Sequence, residues 1–265
     1  MIPYLEPPAL RLGPATIQVF GVLAALGVFL AVRIASRAAA AEGLDGRVPR
    51  DFAIWGVAAG ILGGHLVHLL AYHPEELADP WRVLRFWEGL SSYGGLLGGV
   101  AAALAWFPAH RVRLADYGDA LALGMAPGWA VARLGCFAIH DHPGRLTSFP
   151  LAVRFPGGAR HDLGLYEAVV LAAISAALWA LRRRGALRGR LLAVLGILYA
   201  PARFLLDFLR ARDLPYVDAR YLGLTPAQYA SIAVAAWAIW RLARPPATPH
   251  AAPSGGAGGA PGGGR

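Results

Sequence analysis

Long apolar runs, separated by short polar segments, occupy most of the chain between residue 16 and residue 243. Several of them extend for about 20 residues with almost no charge, the length that an α-helix needs to cross a bilayer. Backbone polar groups in lipid must be satisfied internally, so helices are the expected form of such runs. The pattern predicts an all-α polytopic membrane protein with seven transmembrane helices: Thr16–Ala35, Phe52–Tyr72, Ser92–Phe107, Ala115–Phe137, Leu165–Leu181, Leu191–Leu209 and Pro226–Ala243.

The composition agrees with this interpretation. Of the 265 residues, 57% are hydrophobic and only 15% are charged, whereas soluble domains carry about 25% charged residues. These values argue against a soluble globular enzyme and against disorder over most of the chain. We expect one transmembrane domain over residues 1–244 and a disordered tail over residues 245–265, which is rich in Gly, Pro and Ala.

The distribution of positive charge predicts the orientation in the membrane. The formal net charge is +9, and all 25 basic residues are arginines. If the N-terminus lies outside, most arginines of the connecting segments fall inside, above all those of the short segment Arg182–Arg190. The bias therefore predicts a cytoplasmic C-terminus. Basic loops of this kind attract anionic lipid, so we expect membrane lipid and no nucleic acid as a partner.

A polar segment interrupts the apolar pattern over residues 138–164 and contains Pro143, Pro150 and Pro156. With the N-terminus outside, this segment becomes an extracytoplasmic insert. The alternation of apolar and polar residues in Leu151–Phe155 predicts a short strand within it.

Charged residues inside the predicted spans are costly, which makes them candidates for function. Arg133 lies near the end of the fourth span, where it is either a functional cation or an arginine that reaches the headgroup layer. Arg203, Asp207 and Arg210 recur at helical spacing on one face. They either neutralise one another or leave a surplus positive charge for a buried anion, and phosphate is an anion that guanidinium binds well.

Histidines and a cysteine lie close to Arg133 in the sequence. His140 and His142 flank Asp141 at the start of the insert, and histidine is the usual proton carrier near neutral pH. The His-x-His pair lacks an evident third ligand, so we expect neither a metal nor another cofactor. Cys136 is the single cysteine, so an intrachain disulfide is excluded.

Six short motifs follow one another in the chain with characteristic spacing. They are Gly13-Pro-Ala-Thr-Ile17, Trp87–Gly98, Arg133-Leu-Gly-Cys-Phe137 with Gly144-Arg145, Arg160-His161 with Leu165-Tyr-Glu167, Arg203–Arg210, and Gly223-Leu-Thr-Pro-Ala-Gln228. Their order resembles that of the prolipoprotein diacylglyceryl transferases of bacterial inner membranes. Each motif alone is weak, but six in order on a seven-span plan are specific.

The chain departs from the pattern of that family at several places. Tyr93 stands where the family has a histidine, and Cys136 stands where it has an asparagine. Asp141 and Asp207 each replace a glutamate. A tyrosine has a pKa of about 10 and is a poor base at neutral pH, so the proton-transfer group must be sought elsewhere.

The resemblance implies a reaction in which the diacylglyceryl group of phosphatidylglycerol moves to the lipobox cysteine of a prolipoprotein. Arg133 and Arg203 would bind the phosphate, with Asp207 orienting Arg203 and Arg210 contributing further positive charge. Gly144 would allow close backbone approach near the headgroup.

The remaining steps of such a reaction involve the insert and its surroundings. His142, or His140, would take the thiol proton, with Asp141 in support and Tyr93 as a hydrogen-bond donor. Glu167 would tie Arg160 or the insert to the membrane domain. The implied partners are phosphatidylglycerol and prolipoprotein signal peptides with a lipobox.

Other hypotheses remain open at the level of the sequence. The chain is either an active transferase, a paralogue with an altered lipid or acceptor, or a non-catalytic protein that binds lipid or lipoprotein. An unrelated transporter is a further alternative, but internal repeats are not apparent.

Overall fold

A computed structural model describes residues 1–6, 9–12, 15–85, 89–214 and 220–245. Its helices form a bundle with a small sheet at one end. They are α1 Val19–Ala41, α2 Val48–Val67, α3 Pro80–Leu84, α4 Ser92–Ala109, α5 Leu114–Ile139, α6 Leu163–Arg183, α7 Leu191–Leu206 and α8 Pro226–Ala243. A π-helical turn, His68–Tyr72, extends α2, and 3₁₀ turns cover Pro74–Ala78 and Asp207–Leu209.

The long helices coincide with the predicted apolar runs. Among the described residues, five are long and apolar enough to cross a membrane, namely α1, α2, α5, α6 and α7, while α4 is a shorter apolar helix. Large apolar side chains such as Ile54, Leu104 and Leu205 are exposed on helix surfaces, which is expected where the surrounding medium is lipid. The molecule is therefore a helical, multi-pass membrane protein.

Local sequence signals explain where several helices begin. Ser91 caps α4 by accepting a hydrogen bond from the backbone N–H of Gly94, and Asp162 caps α6 in the same way through Leu165. α8 starts with a complete capping box, in which Thr225 and Gln228 each bond the backbone of the other. These caps fix the first turns of α4, α6 and α8.

Small residues bring neighbouring helices into backbone contact. α1 packs along α5, and α2 packs along α4. A Cβ added at Gly63 would lie 2.6 Å from the carbonyl oxygen of Gly94, and one added at Gly98 would overlap the backbone of Ala59. Among the glycines of α4, Gly94 and Gly98 allow this close packing, whereas Gly99 has open space beside it.

These contacts define two ends of the bundle. At the head end α1, α4, α6 and α8 begin and α2, α5 and α7 end, as shown by the close approach of Gly63 to Gly94 and of Gly164 to the backbone of Phe137. The hydrophobic core extends toward the opposite end and includes Phe107, Leu123 and Leu178.

A four-stranded sheet, called here the head sheet, covers the head end. Its strands are β1 Ile2–Pro3, β4 Pro143–Leu146, β5 Val153–Phe155 and β6 Gly158–Asp162, in the order β1-β5-β6-β4. β1 is parallel to β5, and the other pairs are antiparallel. A separate hairpin joins β2 Ala9–Leu12 to β3 Ala15–Gln18.

The strands of the head sheet and of the separate hairpin correct two expectations. The protein is all-α only in its bundle, because the insert folds into strands, of which Val153–Phe155 occupies most of the predicted strand. Thr16–Gln18 also belongs to a strand, so the first helix begins at Val19 rather than at Thr16. The predicted tail from residue 246 onward, and Gly13, Pro14, Trp87 and Glu88 of the motifs, lie outside the described residues.

Candidate active site

Buried charged side chains from three helices meet at the head end of the bundle. Arg133 comes from the last part of α5, Glu167 from the start of α6, and Arg203 from the last turn of α7. Their exposed fractions are 7%, 0% and 6%. Charges so deeply buried require partners, because an isolated ion in such a place is strongly destabilising.

Glu167 lies between the two arginines. Its Oε2 is 3.0 Å from Nε of Arg133, and its Oε1 is 3.4 Å from Nε of Arg203. The hydroxyl of Tyr199 donates a hydrogen bond of 2.9 Å to Oε2. The expectation that Glu167 ties Arg160 or the insert to the membrane domain is therefore wrong, since its carboxylate faces arginines of the bundle.

Asp207 continues the cluster on the other side of Arg203. Its Oδ1 accepts hydrogen bonds from Nη1 of Arg203 at 2.5 Å and from Nε of Arg210 at 2.7 Å, and its Oδ2 accepts one from the hydroxyl of Thr225. The sequence spacing correctly predicted that Arg203, Asp207 and Arg210 meet. α7, however, ends at Leu206, and Arg210 follows a 3₁₀ turn rather than continuing one helix face.

The five side chains of this cluster, Arg133, Glu167, Arg203, Asp207 and Arg210, carry three positive and two negative charges. Donors also remain unused, because the Nη2 atoms of Arg133 and Arg203 make no hydrogen bond to any residue that the structure describes. Guanidinium donors without a described partner suit a bound anion, and phosphate can accept such donors in pairs. We call this group the arginine cluster.

His142 and Cys136 both approach Arg133. The Nη1 of Arg133 is 3.5 Å from Nε2 of His142 and 3.7 Å from Sγ of Cys136. Asp141 contacts Nδ1 of His142, so carboxylate, imidazole and guanidinium follow one another in a chain. Of the two candidate histidines, the structure brings His142 to the arginine cluster.

Cys136, Asp141 and His142 form a possible set of three metal ligands that the sequence did not reveal. The ligand atoms of Cys136, Asp141 and His142 all lie within 4.8 Å of one another, and thiolate with imidazole and carboxylate is a zinc ligand set. The guanidinium of Arg133, however, lies beside two of the three ligands. A cation there opposes the binding of a second cation, so the geometry fits a hydrogen-bonded group better than a metal centre.

His140 has different neighbours. It ends α5 in the left-handed conformation, with φ of 52°, and its Nδ1 is 2.9 Å from Oδ2 of Asp162. Its ring stacks on Tyr4, with 4.7 Å between centroids, and meets Phe155 edge-on. Burial raises the pKa of the Asp162 carboxyl, while its hydrogen bond to His140 acts in the opposite direction. His140 thus joins the end of α5 to the head sheet.

Gly144 permits a close contact between the head sheet and the end of α7. Its backbone pairs with that of Arg210, and an added Cβ would lie 2.6 Å from the carbonyl oxygen of Leu209 and 2.8 Å from Cβ of His161. A residue larger than glycine would push the strand away from Arg210. The close approach at Gly144 is therefore made to protein backbone, and the expected approach near the headgroup stays a prediction.

Arg160 holds the head sheet to the segment that follows α7. It donates to both carboxylate oxygens of Asp213, at 3.0 and 2.5 Å, and to the carbonyl oxygen of Gly144 at 3.1 Å. The paired guanidinium lowers the pKa of Asp213 to about 2. This pair takes the linking role that the sequence had suggested for Glu167.

Tyr93 begins α4 at the head end and is partly buried. In the described part of the chain it makes no hydrogen bond, so its predicted function as a donor has no observed partner.

Two residues of the site were missed by sequence reasoning. Tyr199 lies four residues before Arg203, a spacing that places it on the same helix face. Thr225 belongs to the sequence Thr-Pro-Ala-Gln, which is a recognisable capping signal.

Comparison with known proteins accords with this geometry. The sequence model of a protein family described as prolipoprotein diacylglyceryl transferase matches residues 7–244, most of the chain and all of the cluster. The chain belongs to this family. Members with similar sequences are the phosphatidylglycerol–prolipoprotein diacylglyceryl transferases of Chromohalobacter salexigens and Bordetella bronchiseptica. The first is 30% identical over 89% of this chain and 93% of its own length, and the second is 32% identical over 87% and 91%.

A third member of the family, from Cereibacter sphaeroides, carries the same name and is 37% identical over 62% of each chain. The predicted resemblance to the prolipoprotein diacylglyceryl transferases is thereby confirmed. The arginine cluster lies wholly within the part of the chain that the family covers.

Proposed function

We propose that the protein is an enzyme that transfers the diacylglyceryl group of phosphatidylglycerol to the lipobox cysteine of prolipoproteins. Glycerol phosphate is the second product. The observation that carries this proposal is membership of the transferase family over residues 7–244. The names of the relatives, which specify phosphatidylglycerol and prolipoprotein, agree with it.

The reaction exchanges one bond for another at a glycerol carbon. The cysteine thiol loses its proton, its sulfur forms a bond to that carbon, and the bond from the carbon to the phosphate oxygen breaks. The electron pair leaves with the phosphate. The site must therefore stabilise negative charge on the departing phosphate, accept the thiol proton and admit a lipid.

The arginine cluster meets the first requirement. Arg133 and Arg203 are the catalytic cations in this proposal, and Arg210 completes the positive surface that binds the headgroup. Glu167 and Asp207 hold the guanidinium groups in place, since each carboxylate contacts two arginines. Donors that are oriented in advance in a water-poor site stabilise developing charge more than flexible donors in water.

His142 meets the second requirement. Its Nδ1 faces Asp141 and its Nε2 faces Arg133, so the imidazole is oriented at the edge of the cluster where a thiol would approach the phosphate-bearing carbon. Asp141 and His140 support this arrangement from the start of the head sheet. Gly144 keeps the strand close to Arg210, and Tyr93 is available at the head end to donate a hydrogen bond to substrate.

The membrane arrangement follows from the same proposal. Seven helices, α1, α2 and α4 to α8, cross the bacterial inner membrane, with the N-terminus and the head sheet outside. The arginine-rich segment Arg182–Arg190 then faces the cytoplasm, in keeping with the positive-inside rule. Residues 1–244 form the transferase domain. The reaction uses neither a metal nor another cofactor, and nucleic acid is not a partner.

A direct transfer assay tests the proposal. Purified protein in detergent is mixed with phosphatidylglycerol and a synthetic lipobox peptide, and the thioether-linked diacylglyceryl peptide is sought by mass spectrometry. The Arg133→Ala variant, purified in the same way, controls for a contaminating transferase of the host. We expect product from the wild type and none from the variant.

Two other outcomes would contradict the proposal. Product from both proteins would show that Arg133 does not carry the reaction. No product from well-folded wild type would favour a paralogue with another lipid or acceptor, or a non-catalytic protein that binds lipid or lipoprotein.

A further inference from the structure

One buried hydroxyl group joins the start of α8 to the arginine cluster. Thr225 is the N-cap of α8 and is 1% exposed. Its Oγ1 accepts a hydrogen bond of 3.2 Å from the backbone N–H of Gln228 and donates its own proton to Oδ2 of Asp207. The hydroxyl therefore serves the helix and the cluster at the same time.

The position of this hydroxyl is fixed from both sides. Gln228, which is 0% exposed, accepts from the backbone N–H of Thr225 at 3.0 Å and donates to the carbonyl oxygen of Phe204 at 3.1 Å. Phe204 belongs to the last turn of α7, next to Arg203. These hydrogen bonds fix the start of α8 relative to the end of α7, and they thereby fix where Thr225 meets Asp207.

The two oxygens of Asp207 have different partners as a result. Oδ2 accepts the hydrogen bond from the hydroxyl of Thr225, which leaves Oδ1 to accept from both Arg203 and Arg210. Asp207 is 0% exposed, so water cannot readily replace a lost donor. Without the Thr225 hydroxyl, the Asp207 carboxylate rotates toward the guanidinium groups, because Oδ2 then regains a hydrogen-bond donor. That rotation moves the arginines.

We propose that Thr225 is a positioning residue, which orients Arg203 and Arg210 toward the lipid phosphate by holding one oxygen of Asp207. The inference rests on the proposed function, because it assigns those arginines to the phosphate. It predicts an effect on the lipid substrate and none on the peptide substrate.

Three variants separate this function from simple capping of α8. Thr225→Ser keeps both the cap and the donor. Thr225→Gly keeps an acceptable N-cap residue but removes the donor to Asp207. Ser231→Ala is a matched control, because Ser231 is a buried hydroxyl of the same helix that bonds only the carbonyl oxygen of Ala227 in the described chain.

We expect Thr225→Gly to raise KM for phosphatidylglycerol by about tenfold, the effect of losing one hydrogen bond to a charged group. KM for the lipobox peptide should stay unchanged. Thr225→Ser should restore most of the lipid affinity, and Ser231→Ala should behave as wild type. Equal KM values for lipid in Thr225→Gly and wild type would overturn the proposal.

A double-mutant cycle tests the path through Asp207. If Thr225 acts by way of that carboxylate, Thr225→Gly should add little to the effect of Asp207→Asn. If the increases in KM for phosphatidylglycerol multiply in the double variant, the two residues act independently, and the inference is contradicted.

Binding of phosphatidylglycerol to the purified variants, measured by native mass spectrometry, separates this inference from the proposed function. A wild type that binds lipid but transfers nothing contradicts the transferase. The order of lipid affinities, with Thr225→Ser above Thr225→Gly, still tests Thr225; equal affinities would overturn its assignment.

Discussion

Each end of the helix bundle contains a buried carboxylate, but the groups that face the two carboxylates differ. At the opposite end, Asp119 accepts hydrogen bonds from the backbone N–H groups of Gly189 and Leu191, at 2.6 and 2.8 Å. At the head end, Glu167 faces the side chains of Arg133 and Arg203. Asp119 fixes the short connection between α6 and α7, and Glu167 holds two cations together.

The difference shows how burial of charge can indicate function. The partners of Asp119 are backbone groups, so that interaction has structural consequences only. The partners of Glu167 are cations whose Nη2 donors have no described protein partner. Buried ion clusters contribute little net stability, and donors held ready in this way suit an anionic ligand.

The largest expected effect comes from neutralising Glu167. Glu167→Gln leaves the arginines without their shared carboxylate, which should destabilise the protein by about 3 kcal/mol. Because the guanidinium groups also lose their orientation, we expect transfer to fall by about a hundredfold. Thermal unfolding and initial transfer rates measure the two effects.

Asp119→Asn is the matched variant at the opposite end. It should lower the unfolding temperature, while the transfer rate of each folded molecule stays close to that of wild type. A loss of turnover as large as that of Glu167→Gln would show that the two carboxylates do not differ in function.

Substitutions of the two histidines at the start of the head sheet, His142 and His140, should also differ in their effects on turnover and on stability. His142→Ala removes the group beside Arg133, and we expect a fall in turnover of about a hundredfold, typical of a lost general base. His140→Ala removes the contact with Asp162 and the stack on Tyr4, so its main effect should be a lower unfolding temperature. If His140→Ala reduces turnover more than His142→Ala, the proton acceptor has been assigned to the wrong residue.

A smaller effect is expected at Cys136. Its sulfur is buried and lies 3.7 Å from Arg133, where it is a weak hydrogen-bond acceptor. Cys136→Ala should therefore keep transfer within about threefold of wild type. Complete loss of activity in a folded Cys136→Ala protein would instead indicate that the thiol takes part in the reaction.

The smallest effect concerns the pH response of the head sheet. Arg160 lowers the pKa of Asp213 to about 2, so the contribution of this pair is present above the ordinary pKa of aspartate and is lost only as the pH falls through the lowered value. The contribution of this pair to the amide exchange protection of β6, read as the difference between wild type and Asp213→Asn, should thus stay constant from neutral pH to about pH 5. Asp213→Asn should reduce protection over that whole range. A difference that disappears above about pH 5 would contradict this assignment.

Much of the bundle could be predicted because each helix is a continuous apolar run, and the run Pro226–Ala243 matches α8 residue for residue. Arg203, Asp207 and Arg210 were predicted together because their contacts are local in sequence. The partners of Glu167 were not, since they come from α5 and α7 and depend on how those helices pack. Thr225 was missed for a similar reason: its capping signal is local, but its bond to Asp207 crosses between helices.

Lipid binding by two arginine variants tests the central claim most directly. Arg203 belongs to the arginine cluster, whereas Arg188 is exposed in the connection at the opposite end and has no described acidic partner. Native mass spectrometry of purified Arg203→Gln and Arg188→Gln gives the affinity of each for phosphatidylglycerol. We predict a loss of about tenfold or more for Arg203→Gln and little change for Arg188→Gln. Equal losses, or a larger loss for Arg188→Gln, would contradict the assignment of the phosphate site to the head end.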